Sequence, residues 1–254
     1  MMYTDEQFEE LEQEELAVTK EALAAMLLIL GGVKSNLENE LRSFYQKYGK
    51  DGVITYAEAR KWVSEKDHRR RLTVLLLLVS TKFDNVRDDL EREMKGFLTR
   101  VIEMETAFFD VEVDVEKVLA TIWGLDATTW LIRLLNDIDL WDARVRADIK
   151  RHISRGSTIE QVLSMVDTRF DSINSVLTTL AISESTAIGS LARKSIFKSL
   201  GVNKYQFFSK PDERRCETCG ALHGVVFPIS AYEVGVTASP IHPRCRCWEV
   251  PILE

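Results

Sequence analysis

The residues FDNVRDDLEREMKGFLTRVIEMETAF, from Phe83 to Phe108, decide the fold class. Apolar side chains recur in this stretch every three or four residues, a spacing that places them on one face of an α-helix. The 26 residues would form one helix roughly 39 Å long. The same rhythm continues on both sides, so residues 1–200 are predicted to be mostly α-helical. The residues that carry the rhythm here are Phe83, Val86, Leu90, Met94, Phe97, Val101, Met104 and Phe108.

Glycines and capping sequences predict where neighbouring helices begin and end. Gly31 and Gly32 follow an apolar face that closes at Leu30, so they predict the C-terminus of the first helix. A serine or threonine followed three residues later by a glutamate forms a capping box, which opens a helix. The two boxes predicted in this way are Thr55-Tyr-Ala-Glu58 and Ser157-Thr-Ile-Glu160.

The composition excludes several classes of protein. The chain has 254 residues, of which 45% are hydrophobic and 29% charged, and this balance excludes disordered and collagen-like chains. The net charge of −7 argues against a general binder of duplex DNA, which normally has a basic balance. No uninterrupted apolar stretch reaches the roughly 20 residues of a membrane span, and the N-terminus is acidic. No membrane partner and no export signal are therefore predicted, and the expected site of synthesis is the cytoplasm.

The last fifty residues differ in character from the rest. All five prolines and all four cysteines lie after residue 210. Short strands are predicted at 204–209, 224–227 and 247–250, separated by turn residues. The predicted fold is therefore mainly α, an elongated helical body with a small C-terminal β-rich module. Its predicted regions are 1–118 and 119–203, both helical, and 204–254, the Cys/His-rich module.

Two pairs of chelating residues in this module predict a metal site. Cys216 and Cys219 are separated by two residues, and His242 and Cys245 repeat that spacing about 20 residues later. Two such pairs supply the four soft ligands that tetrahedral Zn²⁺ prefers. Cys247 is the alternative fourth ligand, because on an extended segment its side chain points away from that of Cys245. A full set of four ligands leaves no open position, so the predicted zinc would be structural.

Other interpretations of these cysteines stay open at this point. A disulfide pair would require an oxidising compartment, whereas clustered cysteines in a reducing one more often hold a metal. A redox-active CxxC motif would normally lie in a thioredoxin-like βαβ pattern, which is missing from the sequence around Cys216. His223 could reach Cys219 only from a short helical turn.

No arrangement of residues in the sequence predicts an enzyme or a small-molecule substrate. The chain has no nucleophile elbow, no Gly-rich phosphate loop, no HExxH motif and no dinucleotide-binding fingerprint. Basic residues cluster at 69–71 and again at 144–155. Acidic residues interleave the second cluster, so a solvated helix face or an acidic protein partner is favoured over nucleic acid.

The C-terminal part of the chain resembles the minor head proteins of tailed bacteriophages, the phage Mu protein F-like group. The resemblance covers about residues 120–250 and is specific in the last 45. Ser183 and Arg215 stand where that group usually has threonine. The segments that carry the resemblance are Ile182-Ser-Glu184-Ser, Gly201 with Tyr205, the run from Asp212 to Phe227, and Pro240-Ile-His242-Pro243-Arg-Cys245-Arg246-Cys247, with Trp130, Arg133 and Trp141 upstream.

This resemblance implies a structural role in the phage head. Such proteins associate with the portal at one capsid vertex and assist head assembly, and some influence genome packaging or exit. The implied partners are the portal protein, the major capsid or scaffolding protein, and packaged DNA. The implied location is the virion, in the capsid interior or at the portal vertex, with the host cytoplasm during assembly. Carried over residue by residue, the metal-binding set is Cys216, Cys219, His242 and Cys245.

A second function competes with this one. The same module could be a zinc-stapled nucleic-acid-binding or regulatory module whose arginine clusters touch phosphates. Such a binder would lose affinity steeply as salt rises, because each phosphate contact releases counterions.

Overall fold

The fold is mainly α, with a small three-stranded sheet near the C-terminus, as the sequence predicts. The computed structural model describes residues 5–124 and 126–253. The helices are α1 (Asp5–Tyr48), α2 (Tyr56–Ser64), α3 (Lys66–Asp84), α4 (Arg87–Phe109), α5 (Val115–Leu119), α6 (Trp130–Arg155), α7 (Ile159–Ser199) and α8 (Glu217–Leu222). The strands are β1 (Lys204–Ser209), β2 (Val226–Pro228) and β3 (Cys247–Ile252).

The long helix predicted from Phe83 to Phe108 is two helices, so that prediction is wrong at its N-terminal end. Phe83 belongs to α3, which ends at Asp84, and α4 begins at Arg87. The Val86 amide donates to the Phe83 carbonyl over 3.3 Å, an i to i+3 bond that tightens the chain into a turn. Apolar spacing survives this turn because the residues on both sides are buried, which is why periodicity alone did not reveal the break. The residues buried on this face include Phe83, Leu90, Met94, Phe97 and Val101.

The prediction that Gly31 and Gly32 end the first helix is also wrong, since α1 continues to Tyr48. A Cβ added at either glycine would meet nothing within 4 Å, so both lie on an open side of the helix. A glycine inside a helix costs about 1 kcal/mol relative to alanine. Burial of an apolar face on the opposite side outweighs that amount, because packing supplies most helical stability. The buried residues of that face around the glycines are Met26, Leu30, Val33 and Leu37.

Capping side chains fix the first turns of α2 and α7. The box at Thr55 is confirmed: its side chain accepts from the Glu58 amide, and the Glu58 carboxylate accepts from the Thr55 amide. The box before α7 lies one residue later than predicted. Thr158 rather than Ser157 is the capping residue, and it exchanges hydrogen bonds of 2.9 Å and 3.3 Å with Gln161.

The chain divides into two compact units, each assembled from separate stretches of sequence. One contains residues 1–24, 93–133 and 178–254, and the other contains residues 25–92 and 134–177. The first holds the C-terminal sheet and its cysteines. The linear division into 1–118, 119–203 and 204–254 stays a prediction.

The sheet positions the C-terminal part of the first unit. Its strand order is β2-β1-β3, and both pairings are antiparallel. Tyr205 and Phe207 of the central strand are buried, and Tyr205 lies opposite Phe227 on one side and Pro251 on the other. The last pair in the β1–β3 register, Ser209 with Cys247, brings a cysteine to the start of β3.

Within the part of the chain that the structure describes, one helix, α1, is long and apolar enough to cross a membrane by length and composition. One third of its most apolar stretch of 18 residues is buried. The sequence expectation rested on uninterrupted apolar runs and missed this stretch, which tolerates two charged residues. The core helix of a soluble protein can have the same length and composition, so α1 does not by itself indicate a membrane partner.

Gly156, between α6 and α7, has a backbone that only glycine adopts without strain. Its φ is +76°, and an added Cβ would lie 2.9 Å from the Tyr56 amide nitrogen and 3.0 Å from the Ile54 carbonyl oxygen. We expect Gly156→Ala to lower the free energy of unfolding by roughly 2–3 kcal/mol in urea titrations. Gly31→Ala is the matched control, for which a gain of up to about 1 kcal/mol is expected. Equal stability of the Gly156→Ala and native proteins would contradict this view of the turn.

Candidate metal centre

The first pair of candidate ligands is held by the start of α8. Cys216 caps this helix, and its Sγ accepts a hydrogen bond of 3.3 Å from the Cys219 amide. Cys219 lies in the first turn and is buried. The helical turn therefore directs both sulfurs to one side, as the two-residue spacing predicts.

The second pair lies in the turn that leads into β3. The Cys245 amide donates to the His242 carbonyl over 3.1 Å, and Arg244 between them has a φ of +58°. The Nδ1 of His242 donates to the Pro243 carbonyl over 2.9 Å. That bond leaves Nε2 as the nitrogen with a free lone pair, the arrangement usual for a metal-binding histidine.

The two pairs meet at Cys219. The Sγ of Cys219 lies 3.3 Å from Nε2 of His242 and 3.8 Å from Sγ of Cys245. Two sulfurs bound to Zn²⁺ at about 2.3 Å with tetrahedral angles are about 3.8 Å apart. The spacing of the donors and their soft chemistry therefore fit this ion.

Cys247 also reaches the cluster. The ligand atoms of Cys216, Cys219 and His242 lie within 4.8 Å of one another, and so do those of Cys219, Cys245 and Cys247. All five residues singled out in the sequence are thus close enough to bind a metal, and Cys219 belongs to both groups. His223 does not belong to either: its Nδ1 accepts from the Ser209 amide over 3.2 Å, and its ring packs against Phe208.

Hydrogen bonds and burial lower the pKa of two of the cysteine thiols and raise the pKa of the other two. The pKa of Cys216 is lowered by the hydrogen bond from the Cys219 amide, and that of Cys245 is lowered to about 5, chiefly by a hydrogen bond from Cys247. Burial raises the pKa of Cys219 to about 12. The pKa of Cys247 is also raised, because its thiol donates to Cys245 and is buried.

Helix α7 and a ring of cations surround the donors. Thr186 donates to the Cys245 carbonyl over 3.2 Å, and the Arg244 amide donates to Ser183 over 3.1 Å. A small cavity of about 30 Å³ is lined by Cys216, Cys219, His242 and Cys247, and Cys245 is not among its lining residues. Positive charge beside thiolates favours their ionised form. The cations that line this cavity are Lys210, Arg214, Arg215, Arg244 and Arg246.

A buried charge cluster near the centre was missed from the sequence. Arg193 of α7 is 5% exposed and forms ion pairs with Glu105, Glu15 and Glu249, the last two at 3.6 Å. Glu249 also accepts from the Tyr232 hydroxyl over 3.0 Å. Burial raises the pKa of Glu249 and, together with the charge of Glu105, raises the pKa of Glu15 well above its ordinary value. The available signal was the position of Glu105 within the apolar spacing of α4.

A second cluster links two parts of the resemblance. Glu184 of α7 is buried and accepts from Arg133 over 2.8 Å and from the Trp123 indole over 2.9 Å. The Arg133 guanidinium also lies 4.3 Å from the centre of the Trp123 ring and pairs with Asp126. In the sequence, Arg133 and Glu184 appeared only as separate parts of the resemblance. In the structure, their ion pair joins α6 to α7.

Comparison with known proteins identifies the region that contains these sites. The family model described as phage Mu protein F like protein matches residues 143–250. No curated protein and no solved structure matches the chain. This match covers fewer than half of the 254 residues, so it shows what this region is similar to. The resemblance stated from the sequence for about residues 120–250 is thereby confirmed over residues 143–250, which are similar to the phage Mu protein F like family.

Proposed function

We propose that the chain is a structural minor capsid protein of a tailed phage, bound near the portal vertex. There it assists head assembly and takes part in DNA packaging or ejection. One observation supports this proposal: the region similar to the family contains all five candidate metal ligands, which form two groups that share Cys219. A closed set of soft donors is typical of a structural site, and it suits a protein that acts by binding.

The proposed ligand set is Cys216, Cys219, His242 and Cys245, with Cys247 as the alternative fourth ligand. The bound group is proposed to be Zn²⁺, which would supply a rigid tetrahedral link between α8 and the turn before β3. The chain's own residues prepare for it: the Cys219 amide orients one sulfur, and the Pro243 carbonyl orients the imidazole. Residues 204–254 would then be a module whose shape depends on the metal.

The proposed partners are the portal protein and the major capsid or scaffolding protein, reached through exposed helix faces. Contact with packaged DNA is proposed at the cations around the metal site. Arg214, Arg215 and Arg244 are exposed there, and the rest of the chain is acidic enough to limit adhesion elsewhere.

Purified phage heads test this function. We expect quantitative mass spectrometry to find the chain in few copies per particle, and gold-labelled antibody to mark one vertex. A variant with Cys219→Ser should be depleted from heads, whereas the control Leu28→Ser, at an exposed position of α1, should be incorporated normally. Absence of the native chain from purified heads, or an even distribution over all vertices, would refute the proposal.

A further inference from the structure

Helix α3 carries an exposed aliphatic strip that the proposed head function does not use. Val74, Leu77 and Leu78 are 51%, 60% and 40% exposed, although all three are large apolar side chains. They lie on one face of α3, because Leu77 and Leu78 follow Val74 by three and four residues, about one helical turn. Contiguous exposed apolar side chains of this kind mark interaction surfaces more often than chance exposure does.

A groove beside the strip would receive apolar side chains of a partner. It has a volume of about 500 Å³ and lies between α1 and α3 within one compact unit. Phe44 and Tyr48 of α1 form the apolar part of one wall, and Val74, Leu75 and Leu78 of α3 form that of the other. Charged residues line the rest of the groove, namely Glu40, Lys47, Asp67, Arg70 and Arg71. A helix laid along the strip could therefore insert side chains between α1 and α3.

The charges on this face are arranged symmetrically about Leu77. Arg70 lies seven residues before Leu77 and Asp84 lies seven residues after it, so each is two turns, about 10.5 Å, away along the axis. Arg70 has no carboxylate within ion-pair distance among the described residues. Asp84 is 62% exposed and has one contact, to Arg87 at 3.4 Å, which leaves an oxygen facing solvent.

We propose that α3 is a self-association surface, on which two copies of this chain pair antiparallel about a two-fold axis at Leu77. In that arrangement the aliphatic strip of one copy covers the strip of the other. Arg70 of each copy forms an ion pair with Asp84 of the other copy, so the two-fold axis repeats this ion pair. Isologous two-fold dimers are the commonest oligomers of soluble proteins, because a single self-complementary patch suffices. The surface lies outside residues 143–250 and involves no metal ligand.

The size of the surface sets the expected affinity. Two helices that touch along about four turns bury less than the roughly 1,200 Å² of a stable specific interface. We therefore expect a dissociation constant on the order of 10–100 μM. The dimer would form where the local concentration of copies at one assembly site exceeds that value.

Analytical ultracentrifugation of the full chain, from about 1 to 300 μM, tests the proposal. We expect a monomer–dimer equilibrium that Leu77→Asp weakens at least about tenfold. Leu28→Asp is the matched control: Leu28 is 78% exposed on α1 and about 18 Å along that helix from Glu40 at the edge of the groove. Its dissociation constant should stay within about twofold of the native value. Monomer at every concentration, or a dimer unchanged by Leu77→Asp, would overturn the proposal.

A charge exchange tests the register and does not depend on the apolar variant. Arg70→Glu places two carboxylates together and should weaken the dimer about threefold to tenfold. The double variant Arg70→Glu with Asp84→Arg restores opposite charges and should return the dissociation constant to within about twofold of the native value. A double variant as weak as the single one would refute the antiparallel pairing. Circular dichroism melting curves verify that each variant is folded.

Discussion

Replacement of Cys219 by serine is expected to have the largest effect of any single substitution. Cys219 is the one residue present in both groups of candidate metal ligands, and it is buried. We expect the variant to lose the bound Zn²⁺ and with it much of the order of residues 204–254, because structural zinc contributes on the order of 10 kcal/mol to the folding of a small module. Hydrogen–deuterium exchange should show fast exchange in β1 and β3, and slow exchange should persist in α4.

Cys247→Ser is the matched control for this prediction. It removes a buried thiol of the same cluster that lies outside the four ligands of first choice. We expect it to retain one Zn²⁺ per chain with a modest loss of stability, about 1 kcal/mol. If Cys247→Ser loses the metal and Cys245→Ser keeps it, Cys247 is the fourth ligand and the proposed set is wrong. If Cys219→Ser keeps the metal, the whole site is wrong.

Replacement of Arg193 by methionine is expected to destabilise the fold by roughly 3–5 kcal/mol. Methionine fills similar space but leaves Glu105 and Glu249, both fully buried, without their cation. Removing one partner of a buried ion pair is strongly destabilising because the remaining charge is neither solvated nor paired. Urea unfolding monitored by circular dichroism measures this loss. Arg92→Met is the control, since the Arg92 side chain is 68% exposed and should change stability by less than about 0.5 kcal/mol.

The Arg193→Met variant should also show a distinct pH dependence. Burial already raises the pKa of Glu15 and Glu249 in the native protein, and loss of the Arg193 charge, which lowers both, would raise them further above their unfolded values. The folded state then binds protons more tightly than the unfolded state, so stability falls as pH rises. We expect the difference from the native protein to be smaller at about pH 5.5 than at about pH 7.5. A constant difference would show that the loss comes from packing alone.

Regular patterns of side chains predicted the main features of the fold. Three-four spacing identified the helical character of residues 1–200. Strands were predicted at 204–209, 224–227 and 247–250, and the structure has them at Lys204–Ser209, Val226–Pro228 and Cys247–Ile252. The same spacing could not locate the turn at Asn85, because Phe83 and Leu90 are buried on both sides of it. Gly31 and Gly32 were wrongly interpreted as the end of a helix, because the low helix propensity of glycine destabilises α1 less than burial of the opposite face stabilises it.

The candidate metal centre was more predictable than the charge clusters. Chelating spacing is a local property, so the Cys216–Cys219 and His242–Cys245 pairs were visible in the sequence, and the structure places all four residues in two donor groups that share Cys219. Which of them bind a metal stays a prediction. Arg193 and Glu105 are 88 residues apart and meet only through tertiary packing. The residues next to Arg193 and Glu105 in the sequence do not indicate that these two side chains form an ion pair. A charged residue at an apolar position of a helix, such as Glu105, is the only local warning of a buried ion pair.

The zinc content of the purified protein tests the central claim most directly. The chain should be purified in reducing buffer without chelator, analysed by inductively coupled plasma mass spectrometry, and studied by X-ray absorption at the zinc edge. We predict one zinc per chain, with three sulfur neighbours at about 2.3 Å and one nitrogen neighbour at about 2.0 Å. A folded, reduced protein that contains no transition metal and takes up none from added Zn²⁺ would contradict the account.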